Sequence, residues 1–371
     1  MMRLPEKIRR VLEKIVKELA SKEDICGIGL FGSWSRGDAA TTSDVDLLIL
    51  TKSDVTDEYI ERTAANGIMI DFDFIPMRWT LGPLPPELDQ KLFEAQILYD
   101  RDWRLTNIKM LMAKAYSSPE RVEIRTNAHA TEADIHLSRA TSAMSKGDFL
   151  SAHLFARTAM ENALKIPLEI ALQPISNSRF VEKVETAVEK LGLKEMFKDY
   201  MEIAGLTAVD KTQVEEKLKL FKALWDDMYF TVKQHAQTVE KAHFKLKTNI
   251  RYYFNPLFVQ GTVLRATSMI NAGNLDETAH YLDSIFISIL ENYAWLKSTL
   301  EKQRINHTTL IRSIENLEKT NPKVYNEIVS FLGIANTDKA LATETVEKAK
   351  RNITRLHKEK KHLIKTYISK N

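Results

Sequence analysis

The spacing of apolar residues changes character once, near residue 104, and that change limits what the chain can fold into. Upstream, the apolar runs are short and separated by turn residues. Ile25 to Phe31 reads as a buried strand entering a tight Gly-Ser turn, and Asp46 to Leu50 and Ile68 to Ile75 read as two more strands. Ile8, Val11, Leu12, Ile15, Val16 and Leu19 fall on one face of a helix over residues 5–20. Asp54 to Ala65 has the spacing of a surface helix. After Pro83, Pro85 and Pro86, helix resumes over Glu87 to Gln96. Downstream of 104 the strand signals stop. A period near 3.6 dominates 105–116, 119–146, 148–172, 178–192, 210–241, 260–272 and 275–302. The expected class is α+β: a small α/β domain over 1–103, a helical domain over 104–245, and a second over 246–371 that ends in a basic helix. At 371 residues, two or three domains are the natural expectation.

The helical part carries a weak internal repeat. Arg139-Ala-Thr-Ser followed by Gly147-Asp148 recurs 126 residues later as Arg265-Ala-Thr-Ser followed by Gly273-Asn274. The physical reading is a helix, a Gly C-cap, an Asp or Asn N-cap and another helix. Shared capping chemistry and true duplication both account for it.

Composition excludes several classes. Residues 1–20 are charged and amphipathic, unlike a signal peptide, and no run of about 18 uncharged apolar residues suggests a membrane span. The single cysteine, Cys26, cannot form an internal disulfide, and no Cys/His cluster suggests zinc, so a reducing cytoplasm fits. The net charge of +3 is unevenly spread. Residues 1–103 hold 13 Lys+Arg against 19 Asp+Glu, whereas residues 348–371 hold nine basic side chains against Glu359 alone. Such a tail attracts nucleic acid or an acidic partner, or is the solvated face of a terminal helix.

The chemistry concentrates in Phe31 to Leu50, FGSWSRGDAATTSDVDLLIL. Side chains alternate across a strand, so Asp44 and Asp46 share one face. Two adjacent carboxylates repel and raise each other's pKa, and a hard divalent cation such as Mg²⁺ resolves the conflict. Gly32 lets the backbone come close to an anion, and the Ser33 hydroxyl and nearby amides can donate to phosphate. A phosphate cradle and a metal pair on adjacent strands are what attack on an α-phosphate requires. On the next strand Asp71 and Asp73 share a face. Either can supply the third carboxylate of a two-metal site and take the acceptor proton, with Asp71 favoured.

This stretch resembles the polymerase-beta-like nucleotidyltransferase superfamily, whose signature is Gly-Ser, ten residues, then Asp-x-Asp. Gly32, Ser33, Asp44 and Asp46 fall on the signature. Arg36, Gly37, Ser43 and Leu47 match the fuller form of its minimal nucleotidyltransferase branch. The third-strand pattern, aligned on Pro76, selects Asp71, and Leu98 to Asp102 looks like the strand and turn that close such domains. The resemblance covers residues 8–103. It implies a mixed-sheet palm, two Mg²⁺ ions (or Mn²⁺) held by Asp44, Asp46 and Asp71, and nucleotide held by Gly32, Ser33, Arg36 and Ser43. The implied reaction transfers a nucleoside monophosphate from an NTP, with ATP the default because it is abundant, and releases pyrophosphate. Arg36 either assists phosphate binding or braces the loop.

Asp148 to Lys165 resembles a helix of the HEPN domains that accompany minimal nucleotidyltransferases, and the ribonuclease spacing of such domains fits Arg351 with His357 and Arg355 with His362. The acceptor stays open between a protein hydroxyl, a small molecule such as an aminoglycoside, and RNA, and so does the oligomeric state. A non-catalytic nucleotide sensor or interaction scaffold is the alternative to an enzyme, and a HEPN-type RNA-binding or ribonuclease protein is another.

Overall fold

The computed structural model describes residues 4–303 and 310–368. The chain is α+β, with a five-stranded mixed sheet near the N-terminus and helices thereafter. Its contacts form two compact units that interleave along the sequence: Met1–Tyr116 with Gln237–Arg265, and Ser117–Ala236 with Ala266–Asn371.

The first unit is built on strands β1 (Ile25–Phe31), β2 (Val45–Thr51), β3 (Tyr59–Ala65), β4 (Ile68–Pro76) and β5 (Gln96–Asp100), in spatial order β3-β4-β2-β1-β5. β2 and β4 run parallel, and the other pairs are antiparallel. Strands β1 and β2 are central and covered on both faces, so Ile28, Leu30, Leu47, Leu48, Ile49 and Leu50 are all buried with no alternation. Each contributes about 1.5–3 kcal/mol of burial. Helix α1 (Glu6–Ala20) lays Ile8, Val11, Leu12 and Leu19 against this core. The short α2 (Gly32–Arg36), α3 (Asp89–Glu94) and α4 (Arg104–Ala115) complete the N-terminal part.

The surface helix expected over Asp54 to Ala65 is corrected: β3 stands there as an edge strand paired with β4. Between them lies Asn66-Gly67, with φ of 52° and 74°. That is the turn chemistry of a two-residue hairpin, which aligns Arg62 with Asp71 and overrides the helical spacing. The helix expected over Glu87 to Gln96 is shorter, because Gln96 already belongs to β5.

The helices continue as α5 (Pro119–Ser145), α6 (Phe149–Ile170), α7 (Phe180–Leu191), α8 (Lys194–Ile203), α9 (Lys211–Gln234), α10 (Ala236–Glu240), α11 (Phe244–Tyr253), α12 (Pro256–Asn271), α13 (Leu275–Leu300), α14 (Asn316–Thr320), α15 (Pro322–Phe331) and α16 (Lys339–Tyr367). In the second unit α5 and α6 form a long hairpin, and α16 packs along both. Both repeat copies turn at a left-handed glycine, Gly147 (φ 70°) and Gly273 (φ 81°). Asp148 caps α6 through the Ser151 amide, whereas Asn274 makes no such bond. Arg157 and Asp283 also stand 126 residues apart, and they form a buried ion pair at 2.5 Å that Lys217 shares.

The basic tail is helix α16, which buries Ala349, Ile353, Leu356 and Leu363; residues 369–371 lie outside the described chain. Much of its charge is met locally. Arg351 pairs with Asp199, Arg355 with Glu359, His357 with Asp134 and Lys361 with Glu123. Among the described residues, no helix is long and apolar enough to cross a membrane.

Candidate active site

The turn after β1 is shaped by one contact. Gly32 has φ of +72°, and a Cβ there would stand 2.3 Å from Asp46 Oδ2. The position therefore excludes a side chain twice, once by backbone conformation and once by the carboxylate beside it. Glu94, at the end of α3, clamps the turn. Its Oε2 accepts from the Gly32 amide at 3.2 Å and from Arg36 Nη1 at 2.7 Å, while its carbonyl accepts from the Ser35 hydroxyl at 2.5 Å. Arg36 also lies 3.3 Å from Asp38. Ser33 sits in the first turn of α2, and its carbonyl accepts from the Gly37 and Asp38 amides. The Ser43 hydroxyl accepts from the Ala40 amide at 3.0 Å and closes the loop that precedes β2.

The sheet register assembles the acids. In the parallel pairing of β2 with β4, Asp46 stands opposite Asp71; in the antiparallel pairing of β4 with β3, Asp71 stands opposite Arg62. Three neighbouring strands thus set Asp46, Asp71 and Arg62 in one row. Asp44, two residues before Asp46, joins them, and ligand oxygens of Asp44, Asp46 and Asp71 lie within 4.8 Å of one another. Asp73 is one step further along β4, opposite Leu48, and pairs with Lys91 at 2.5 Å. Lys91 also reaches Glu58.

Four residues of this site have no role in the sequence reading: Arg62, Glu94, Tyr252 and Arg265. Arg62 Nε and Nη2 grip both oxygens of Asp71, at 2.7 and 2.6 Å, and Nη2 also reaches Asp44 Oδ2 at 2.7 Å. The guanidinium lies 5.5 and 5.4 Å from the ring centres of Tyr252 and Phe258. The Tyr252 hydroxyl donates to Asp71 Oδ2 at 3.1 Å, and Asn255 donates to the Arg62 carbonyl at 3.0 Å. Arg265, on α12, donates to Asp44 Oδ1. The Asn-Gly turn is the sequence signal that would have placed Arg62 in a strand beside Asp71. Arg265 stands out in the sequence only as the start of the second repeat copy.

The electrostatics set Asp44 apart from Asp46. Burial alone would raise Asp44, but the guanidiniums of Arg265 and Arg62 outweigh it and hold its carboxyl below the usual range. Asp46 takes part in no ion pair among the described residues. Burial pushes its pKa well up, and the charges of Asp44 and Asp71 add to the effect. Arg265 and Arg62 pull it down only in part. A half-buried carboxylate with no ion pair of its own, flanked by two more, is a site that a hard cation relieves, and an all-oxygen donor set suits Mg²⁺ or Mn²⁺. The residues present fit such an ion.

Residues 12–91 match the family model of the nucleotidyltransferase domain. This span contains β1 to β4, the Gly32 turn and all three acids. No curated protein matches the chain. A solved structure, that of a nucleotidyltransferase-like protein from Exiguobacterium sibiricum 255-15, is similar at 12% identity over 87% of this chain and 90% of that one, with a TM-score of 0.34.

Proposed function

We propose that the first unit is a metal-dependent nucleotidyltransferase, which moves a nucleoside monophosphate from an NTP, ATP by default, to a hydroxyl acceptor and releases pyrophosphate. One observation carries this reading: the Asp44, Asp46 and Asp71 oxygens converge within 4.8 Å beside the Gly32 turn, inside the segment that matches the nucleotidyltransferase domain. Bound Mg²⁺ or Mn²⁺ ions would neutralise the triphosphate and acidify the acceptor hydroxyl.

The chain's own residues supply the rest. Asp44 and Asp46 hold the ions. Asp71, rather than Asp73 with its Lys91 partner, completes the set and accepts the acceptor's proton. At the mouth of the cradle, Gly32 leaves room for a phosphate, and the Ser33 hydroxyl donates to it. Arg36, bound to Glu94 and Asp38, braces the loop, and Ser43 fixes the approach to β2.

The test is incubation of the full chain with α-labelled NTPs, Mg²⁺ or Mn²⁺, and acceptors comprising the protein itself, lysate protein, total RNA and aminoglycosides. Label should enter one acceptor class and fall about a hundredfold or more in Asp44→Asn, roughly 3 kcal/mol of transition-state stabilisation. An Asp44→Asn protein that keeps wild-type transfer sinks the proposal. The guanidiniums on Asp44 and Asp71 favour one second reading, a nucleotide sensor that binds without turnover. It would hold nucleotide and release no pyrophosphate.

A further inference from the structure

Both oxygens of Asp44 are engaged, Oδ2 by Arg62 and Oδ1 by Arg265. Ligation of a cation through Asp44 therefore competes with at least one guanidinium, and the two arginines differ in their exposure. Arg62 sits within strand β3 opposite Asp71, grips that carboxylate with both arms of its fork, lies against two aromatic rings and has its own carbonyl tied to Asn255. Its side chain is 6% exposed. A Cβ on Gly261 of α12 would come within 2.9 Å of its Nη1, so the helix closes over it. Arg265 is one turn further along α12, and its side chain is 20% exposed. Of the two guanidiniums on Asp44, that of Arg265 is therefore the nearer to solvent, and that of Arg62 the more enclosed.

Resting on the nucleotidyltransferase reading, we propose that Arg265 is a phosphate-binding residue. It closes the carboxylate cluster while no nucleotide is held, and it exchanges Asp44 for the triphosphate when metal and nucleotide enter together. Metal bound to the triphosphate brings little net charge of its own, so the site still needs two guanidiniums against its three carboxylates. On Asp44 the guanidinium reaches one oxygen only, because Arg62 holds the other; metal-bound phosphate oxygens would offer its fork two acceptors at once. The exchange makes Arg265 a competitor of the metal alone and an ally of the metal-nucleotide complex.

The two roles have opposite signs in binding experiments on the full chain. Titrate Mn²⁺ alone, followed by its electron paramagnetic resonance signal, and then α,β-methylene-ATP in excess Mg²⁺ by calorimetry. Arg265→Gln should bind Mn²⁺ alone about tenfold tighter and the nucleotide analogue about tenfold weaker. Arg265→Lys, which keeps the charge without the fork, should bind Mn²⁺ like wild type and the analogue at an intermediate level. If Arg265→Gln does not fold, Arg265→Lys carries the test, and an unchanged analogue affinity there overturns the proposal. A purely structural role predicts that both affinities fall together, and that outcome, or no change in either, also overturns it. Opposite shifts without any transfer of label would leave the exchange standing while the reading as an enzyme falls. Failure of wild type and both variants to bind metal or analogue would remove both.

Discussion

Gly32→Ala is the substitution whose cost the geometry divides most clearly. An alanine at φ +72° carries about 1–2 kcal/mol of left-handed strain wherever it stands. The second part depends on a neighbour. The new methyl would lie 2.3 Å from Asp46 Oδ2, so one of the two must move by about 1 Å, at about 1–3 kcal/mol. The total is about 2–5 kcal/mol. In an Asp46→Ala background the carboxylate is gone and the nearest remaining side-chain atom, Asp46 Cβ, is 3.4 Å away, an ordinary contact. There Gly32→Ala should cost only the strain. Urea unfolding of the four proteins, all metal-free and followed by tryptophan fluorescence, should give a coupling of about 1–3 kcal/mol. Asp46→Ala alone should raise stability, because it removes a carboxylate whose pKa burial, and then its acidic neighbours, push up. If Gly32→Ala costs the same in both backgrounds, the Asp46 carboxylate does not confine the turn and the argument for glycine rests on φ alone.

Other perturbations follow from the same contacts. Arg62→Met strands Asp71 without its fork and leaves Asp44 to Arg265 alone, and should cost about 3–5 kcal/mol in urea unfolding, with partial recovery when Asp71→Asn is added. Asp71→Asn should weaken Mn²⁺ binding at least about tenfold, while Asp73→Asn, whose partner is Lys91, should leave it within about twofold; calorimetry distinguishes them. In the second unit, burial and the Arg157 charge hold the pKa of His153 down to about 4, against about 6.5 when unfolded. Its contribution is complete above about pH 6.5 and is lost as pH falls toward 4, a swing of roughly 3 kcal/mol. Urea midpoints between pH 7 and pH 4.5 should fall accordingly, and His153→Gln should flatten that decline.

Much of the first unit is legible in the sequence because its signals are local. Strand β1 is an apolar run, β2 is apolar after Asp46, and β4 sets Asp71 and Asp73 among apolar residues; the Gly-Ser turn and the Asp44-x-Asp46 pair sit beside them. The edge strand β3 is hidden because its half-buried residues also fit a helical period, and only the Asn66-Gly67 turn separates the two readings. Alternation cannot choose between Asp71 and Asp73, which share a face. The distinction lies in what meets each one, Arg62 for the first and Lys91 with Glu58 for the second. Tyr252 and Arg265 carry no local mark of their role. They reach the acids across sequence separations of 181 and 221, a distance over which periodicity is silent.

That distance also orders events during synthesis. Residues 237–265 belong to the first unit, with 117–236 of the second made between its two parts. A ribosome adding about 5–20 residues per second needs roughly 10–40 s to travel from Asp71 to Arg265. Throughout that interval the emerging acids have Arg62 as their cation from within the unit, and the cluster lacks its Arg265 guanidinium, with the Tyr252 hydroxyl added only near the interval's end. The acid-bearing unit begins first and is finished late, so a nascent chain stalled before residue 265 displays an acidic cluster without the Arg265 guanidinium that meets Asp44 in the completed protein.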